Sequence, residues 1–255
     1  MKVVFVGAGN VATHLATALN NLSLDIIQIY SRTLESASAL ANMVGATPIT
    51  DIKEVADNAD IYIFTLKDSV LEDIIGQIPE NHGIWLHTAG SVPIDVFKNQ
   101  TFHYGVLYPF QTFTKNRQLN WNDIPIFIEA SDDKSRNIIE TIAKKLSDKV
   151  FYLDSQKRKY LHLTGVFACN FTNHMYTLSE MFLKQIDVPF DVALPLIDET
   201  ASKVHDLTPL EAQTGPAIRY DENIINKHLS LIGDSNIKEI YKIISDNIHR
   251  TSKDI

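Results

Sequence analysis

Cysteine is nearly missing from this chain of 255 residues: Cys169 stands alone. An internal disulfide and a cysteine-cluster metal site are excluded, and the reducing cytoplasm is the expected setting. Long apolar runs are missing as well. No stretch approaches the roughly 18 uninterrupted apolar residues that a membrane span requires. The opening Met1-Lys2-Val3-Val4-Phe5-Val6 runs straight into glycines and lacks the apolar core and cleavage site of a signal peptide. Blocks of positive charge are absent too, the densest being Lys157-Arg158-Lys159 in a chain of formal charge −8. Neither nucleic acid nor an acidic membrane is therefore an expected partner. The nine histidines show no HxxxH or HxH spacing, so no metal site is expected. GxSxG and GxxxxGK(S/T) do not occur, which removes the hydrolase-elbow and P-loop chemistries.

What remains is ordinary globular composition, 45% hydrophobic and 21% charged, with chain enough for one large domain or two modest ones. Residues 1–153 alternate short apolar runs with amphipathic segments, the pattern of βαβ units and a parallel sheet. Strands are expected at 3–6, 26–30, 46–49, 61–65, 83–87, 103–107, 124–129 and 150–153. Helices are expected at 10–22, 33–43, 52–56, 69–75 and 133–146. After Asp154 strand signals stop. Helical stretches follow at about 155–185, 190–206, 221–231 and 236–247, separated by Pro189, Thr214-Gly215-Pro216 and Gly233. The expected fold is α/β: a doubly wound, Rossmann-like sheet domain over 1–153, then an all-helical domain over 154–255. The first helix of that second part is apolar around most of its circumference (Leu161, Val166, Phe167, Phe171, Met175, Leu178, Phe182). It must be buried, in a bundle or in a subunit interface.

Gly7-Ala8-Gly9-Asn10-Val11-Ala12 follows the first strand and opens a helix, which is GxGxxG/A in its proper setting. The first Gly makes the turn, the second admits a pyrophosphate, and Ala12 allows close helix–strand packing. The helix N-terminus supplies N–H groups and positive dipole to the phosphates. An NAD site wants a carboxylate at the end of the second strand, but Tyr30-Ser31-Arg32-Thr33 stands there. An Arg flanked by hydroxyls suits the 2′-phosphate of NADP; Ser31 capping the next helix beside a solvated Arg32 is the other reading. Thr65-Leu66-Lys67 and His87-Thr88-Ala89-Gly90-Ser91, at carboxyl ends of strands, fall near the expected cofactor, and Gly90 would allow a close backbone approach.

A nicotinamide carries the hydride itself, so the protein need only orient the substrate and move one proton. His162, Asn170 and Asn173 interrupt the apolar helix and at about 100° per residue form one polar stripe within roughly 80°. His162 is the expected proton-transfer residue, with a satisfied core histidine as the alternative. Asn170 is expected to orient substrate, although about 12 Å of helix axis between the two forbids both gripping one small group. Thr214-Gly215-Pro216-Ala217-Ile218-Arg219-Tyr220-Asp221 offers Arg219 either as a clamp on a substrate carboxylate or as a partner of Asp221, itself a candidate N-cap. Tyr108-Pro109-Phe110-Gln111-Thr112-Phe113 reads as core or cleft wall.

These strings, together with Tyr160-Leu161-His162-Leu163-Thr164-Gly165-Val166-Phe167-Ala168-Cys169-Asn170 and His228, resemble the bacterial proteins that join a Rossmann-like domain to the DUF2520 domain, often described as coenzyme F420-dependent NADP oxidoreductase-like. More distantly the layout is similar to pyrroline-5-carboxylate reductase, prephenate dehydrogenase and the β-hydroxyacid dehydrogenases. The resemblance implies a helical domain that forms a homodimer and closes over the nicotinamide. Two departures stand out: Tyr108-Pro109 replaces the group's usual His-Pro, and Val166 stands where β-hydroxyacid dehydrogenases carry Lys, four residues before Asn170. The first removes a histidine from that turn and the second argues against β-hydroxyacid chemistry. Nothing in the sequence marks a deazaflavin pocket for F420. The expected function is an NADP(H)-dependent oxidoreductase acting on a small C=O, C=N, alcohol or amine substrate between the domains. A dinucleotide-binding sensor or scaffold without turnover is the alternative.

Overall fold

In the computed structural model, residues 1–253 are described. The chain divides by internal packing into Met1–His174 and Met175–Ile255. The first unit therefore takes in the sheet and also residues 155–174 of the helical stretch.

Eight strands form its single sheet: β1 (Lys2–Val6), β2 (Asp25–Tyr30), β3 (Thr47–Ile49), β4 (Ile61–Phe64), β5 (Ile84–His87), β6 (Tyr104–Pro109), β7 (Ile126–Ala130) and β8 (Val150–Tyr152), in the order β3-β2-β1-β4-β5-β6-β7-β8. The four residues of β4 and of β5 are all buried, as are Val3–Val6 of β1, since helices cover both faces of the sheet. Successive side chains go to opposite faces. Val3, Phe5, Ile61 and Ile63 join one core with α1 (Asn10–Asn21) and α4 (Asp133–Leu146). Val4, Val6, Tyr62, Phe64 and Trp85 join the other, around Phe97. Helices α2 (Leu34–Val44) and α3 (Asp68–Ile75) complete the βαβ crossovers.

Two local expectations change. The helix expected at 52–56 is a single 3-10 turn, Ile52–Glu54. The expected parallel pairing breaks at β6–β7, which is antiparallel. A parallel return needs a long crossover, usually a helix; the connection from β6 to β7 holds only the 3-10 turn Trp121–Asp123, so the chain comes straight back.

The long helical stretch is continuous but not uniform. After α5 (Ser155–Gly165), capped by Asp154 accepting from the Lys157 N–H at 2.8 Å, a π-helical segment spans Val166–Phe171 before α6 (Thr172–Gln185). The Thr172 hydroxyl donates to the Phe167 carbonyl, five residues back, at 3.0 Å. A π segment fits extra residues into a turn and so rotates the later part of the helix relative to a regular α-helix.

In the second unit, α7 (Leu194–Asp206) begins with Pro195 in its first turn, where the missing N–H costs nothing. Asp221 and Asp234 cap α8 (Glu222–Leu231) and α9 (Ser235–Ser252). Neither α6 nor α7 buries a single residue. Among the described residues no helix is long and apolar enough to cross a membrane, and no group of three or more His, Cys, Asp or Glu could hold a metal.

Candidate active site

The glycine turn leaves the carboxyl end of β1, where the strand order reverses between β1 and β4 and ligands of such sheets bind. Gly7 has φ +120° and donates its N–H to the Tyr30 carbonyl at 2.9 Å. A Cβ there would lie 2.7 Å from the carbonyl oxygen and Oγ1 of Thr65, so only glycine fits. Gly9 caps α1 without a side-chain hydrogen bond, and a Cβ on it would meet nothing within 4 Å. The first turn of α1 carries no acidic residue. Free N–H groups facing open space beside a positive dipole end suit a pyrophosphate. Ala12 is fully buried and Val11 half-buried, while the Asn10 amide is spent on the Phe113 carbonyl, to which it donates at 2.8 Å.

At the end of β2, Thr33 rather than Ser31 caps α2, accepting from the Ser36 N–H at 3.4 Å. The Ser31 N–H instead extends the sheet, donating to the Ile49 carbonyl at 3.1 Å. Arg32 is exposed and has no carboxylate partner among the described residues. These positions fit a phosphorylated ribose: a guanidinium without a partner and hydroxyls on either side. Thr65 donates its hydroxyl to the Gly7 carbonyl at 3.2 Å, Leu66 is half-buried, and Lys67 is exposed just before α3. Thr88 is half-buried beyond β5, its N–H on the Phe64 carbonyl at 3.2 Å. The Ser91 hydroxyl donates to the Asp68 carboxylate.

Gly90 is needed for a neighbour that sequence reasoning did not see. The His162 ring lies against it: a Cβ at Gly90 would sit 2.5 Å from Nδ1 and 2.7 Å from Cγ. The same Nδ1 is 3.1 Å from the Tyr108 hydroxyl. Burial pushes the Tyr108 phenol up to about 12, the nearby Arg158 charge only partly opposing it, so it stays protonated at neutral pH. The pair bonds in either direction: the phenol donates to a bare Nδ1, or a protonated Nδ1 donates to the phenol oxygen, and only the second leaves Nε2 able to gain and lose a proton.

Beneath this pair lies a charged network. Arg158, at 1% exposure, donates through Nη1 to Glu129, and through Nη2 to the Val92 carbonyl at 2.5 Å. Ser155 donates its hydroxyl to Glu129 at 2.8 Å and accepts from the Ile94 N–H at 2.9 Å. Three elements are thus tied together: the segment after β5 that carries Gly90, the end of β7, and the first turn of α5. His87 is fully buried beside it; burial, reinforced by the Arg158 charge, pushes its imidazole down to about 3, so it is a neutral structural residue.

A cavity of about 290 Å³ opens between the segment after β6 and the helical stretch, with Tyr108, Phe110, His162, Cys169 and Asn170 in its walls. The structure thus brings His162 and Asn170 to one cavity although they lie far apart along the axis; the intervening π segment faces it with Val166, Ala168, Cys169 and Asn170. Gly165 lets the helix approach Phe110, whose Cε2 would be 3.0 Å from a Cβ there. Arg219 belongs to the second unit. It is exposed and Asp221 caps α8 instead of pairing with it. Next to it Tyr220 holds φ +51°, its ring 4.5 Å from that of His249, and the His228 Nδ1 lies 2.8 Å from the Tyr241 hydroxyl.

Residues 2–86 match the family profile described as NADP oxidoreductase, coenzyme F420-dependent, and residues 124–248 match the domain of unknown function DUF2520. A proposed NADP oxidoreductase of Bacteroides fragilis is 49% identical, superposes with a TM-score of 0.92, and 98% of each chain is covered. The chain belongs to this DUF2520-bearing oxidoreductase family. Beyond the DUF2520 family itself, the reductive aminase of Aspergillus terreus, solved with NADPH and ethyl levulinate, gives a TM-score of 0.76 at 15% identity over 99% of this chain and 94% of its own. Pyrroline-5-carboxylate reductase of Coxiella burnetii gives 0.57 at 15% identity, covering 99% and 97%. At such identities the likeness is one of fold. No match to a curated protein was found.

Proposed function

We propose that this DUF2520-family chain is an NADP(H)-dependent oxidoreductase acting on a small C=O or C=N substrate, or on the corresponding alcohol or amine. The observation that carries it is the bare N-terminus of α1 at the β1/β4 switch point, with an unpaired Arg32 at the end of β2. NADPH bound to the Aspergillus reductive aminase, which shares the fold, supports the choice of cofactor. When bound, the nicotinamide supplies or accepts the hydride. Gly7, Gly9, Asn10, Val11 and Ala12 would hold or shape the pyrophosphate site, and Ser31, Arg32 and Thr33 the 2′-phosphate. Thr65, Leu66, Lys67, Thr88 and Gly90 would line the approach to the nicotinamide. His162 transfers the proton at Nε2, passing between imidazolium and neutral imidazole, while its Nδ1–H donates to the Tyr108 oxygen. Asn170 orients the substrate in the same cavity, and Arg219 is the orienting residue offered by the second unit. Arg32→Ala is expected to weaken NADPH binding by roughly 10- to 100-fold, the worth of a lost charge-assisted hydrogen bond, and to leave NADH binding unchanged. Fluorescence titration of both cofactors reads this; equal losses for the two would remove Arg32 from the phosphate site.

The partner of the helical unit is a second copy of the chain. Helices α6 and α7 bury nothing, and leave Met181 45%, Leu196 70% and Val204 50% exposed. Apolar faces of that kind mark an interface. Sedimentation equilibrium is expected to return twice the chain mass at micromolar concentration. A monomer under those conditions contradicts the dimer.

A further inference from the structure

We propose that the cavity beside His162 continues into a carboxylate-binding site with Arg117 at its far end, so that the substrate is a carbonyl or imine compound bearing a carboxylate remote from the reacting carbon. The proposal rests on the oxidoreductase reading and names its substrate class. The His162 cavity shares Gln111, Thr112, Cys169 and Asn170 with a larger neighbour of about 700 Å³. The two are one groove with Asn170 at the junction. Beyond the junction the lining is Thr114, Arg117, Leu119 and Asn173.

Charge decides the ligand. No Asp or Glu lines either cavity, and Arg117 has no carboxylate partner among the described residues. Arg117 is exposed to solvent on one side and on the other lines a cavity whose remaining walls are neutral, so its guanidinium can take an anion there, and its fork geometry matches a carboxylate. In a chain of net charge −8 such a cavity is a local reversal of sign. The supporting loop is held in place: the Asn10 amide donates to the Phe113 carbonyl at 2.8 Å, His14 Nε2 meets the Thr114 carbonyl at 2.8 Å, and the Arg117 N–H closes a turn onto Thr114 at 3.0 Å. Helix α1, which begins at the glycine turn, therefore also fixes the loop that carries Arg117.

Position decides the substrate's length. His162 lines the first cavity and not the second, whereas Arg117 lines the second and not the first. A carboxylate on Arg117 is thus separated by several bonds from an oxygen or nitrogen that receives a proton from His162.

Cys169 lines both cavities and is the chain's one cysteine, which gives a readout independent of turnover. The rate of maleimide labelling would be followed in the presence of NADP⁺ with 4-oxopentanoate, 6-oxoheptanoate or their methyl esters. The acids are expected to slow labelling at least about fivefold more than the esters do. In Arg117→Gln that difference should vanish, as loss of a charged hydrogen bond weakens binding by roughly 10- to 100-fold, while NADPH affinity is retained. Equal protection by acids and esters, no protection by either, or protection by the acids surviving in Arg117→Gln would each overturn the carboxylate site. NADPH binding without acid protection sinks the carboxylate site alone; acid protection in a protein that binds no NADPH sustains the anion site and sinks the oxidoreductase reading.

Discussion

His162→Ala is expected to lower turnover by roughly a hundredfold to ten-thousandfold, the usual worth of a positioned general acid or base, while NADPH affinity changes by less than about threefold. The imidazole is built into place from two sides. The bare α-carbon of Gly90 lets it approach, and Tyr108 holds Nδ1 at 3.1 Å. Burial keeps the phenol protonated, and its oxygen accepts from Nδ1–H, so that Nε2 is the atom that exchanges a proton with substrate as the ring passes between imidazolium and neutral imidazole. Tyr108→Phe removes that restraint without removing the acid, so its effect on turnover should be smaller than that of His162→Ala. Both variants would be followed by NADPH oxidation at 340 nm with 4-oxopentanoate and 6-oxoheptanoate. Unchanged turnover in His162→Ala removes the residue from the mechanism.

The largest effect on stability is expected from Glu129→Ala. Removing the carboxylate leaves the Arg158 guanidinium buried without its counter-ion, a situation that costs about 3–5 kcal/mol. It also takes away the acceptor of the Ser155 N–H and hydroxyl, at 3.1 and 2.8 Å. Replacing Glu129 and Arg158 together by Leu and Met should recover much of the loss, since the charge no longer needs a partner. Urea denaturation measures both variants. A loss below about 1 kcal/mol in Glu129→Ala, the range of exposed pairs, would show that solvent reaches the network. The network also joins the Gly90 segment to α5, so the destabilised single variant should lose turnover even at temperatures where it remains folded.

Much of the fold is legible in the sequence because its signals are local. Val3–Val6 and Ile61–Phe64 are apolar throughout, as doubly covered strands must be, and the turn between β1 and α1 needs a glycine that the sequence visibly supplies. The reversal of β7 is not legible, since apolar content carries no direction; it comes from a connection with no crossover helix. The π segment at Val166–Phe171 is hidden as well, because the apolar residues around it are compatible with a regular helical period. Arg158 is disguised inside Lys157-Arg158-Lys159, which reads as solvated charge. One signal is available: Arg158 lies three and four residues before Leu161 and His162, on the same helix face. Tyr108 announces itself only as a departure from His-Pro, and its pairing with His162, 54 residues away, is tertiary. Arg117 gives no signal, as an isolated Arg in a polar loop resembles any solvated residue.

The central claim is that the glycine turn and Arg32 form an NADP(H) site, and its most direct test is fluorescence titration of the purified protein with NADPH and with NADH. Binding of NADPH at least about tenfold tighter is expected, since a 2′-phosphate adds a charge-assisted contact. Equal, weak binding of both nucleotides would contradict the cofactor assignment, and with it the roles given to His162 and Asn170.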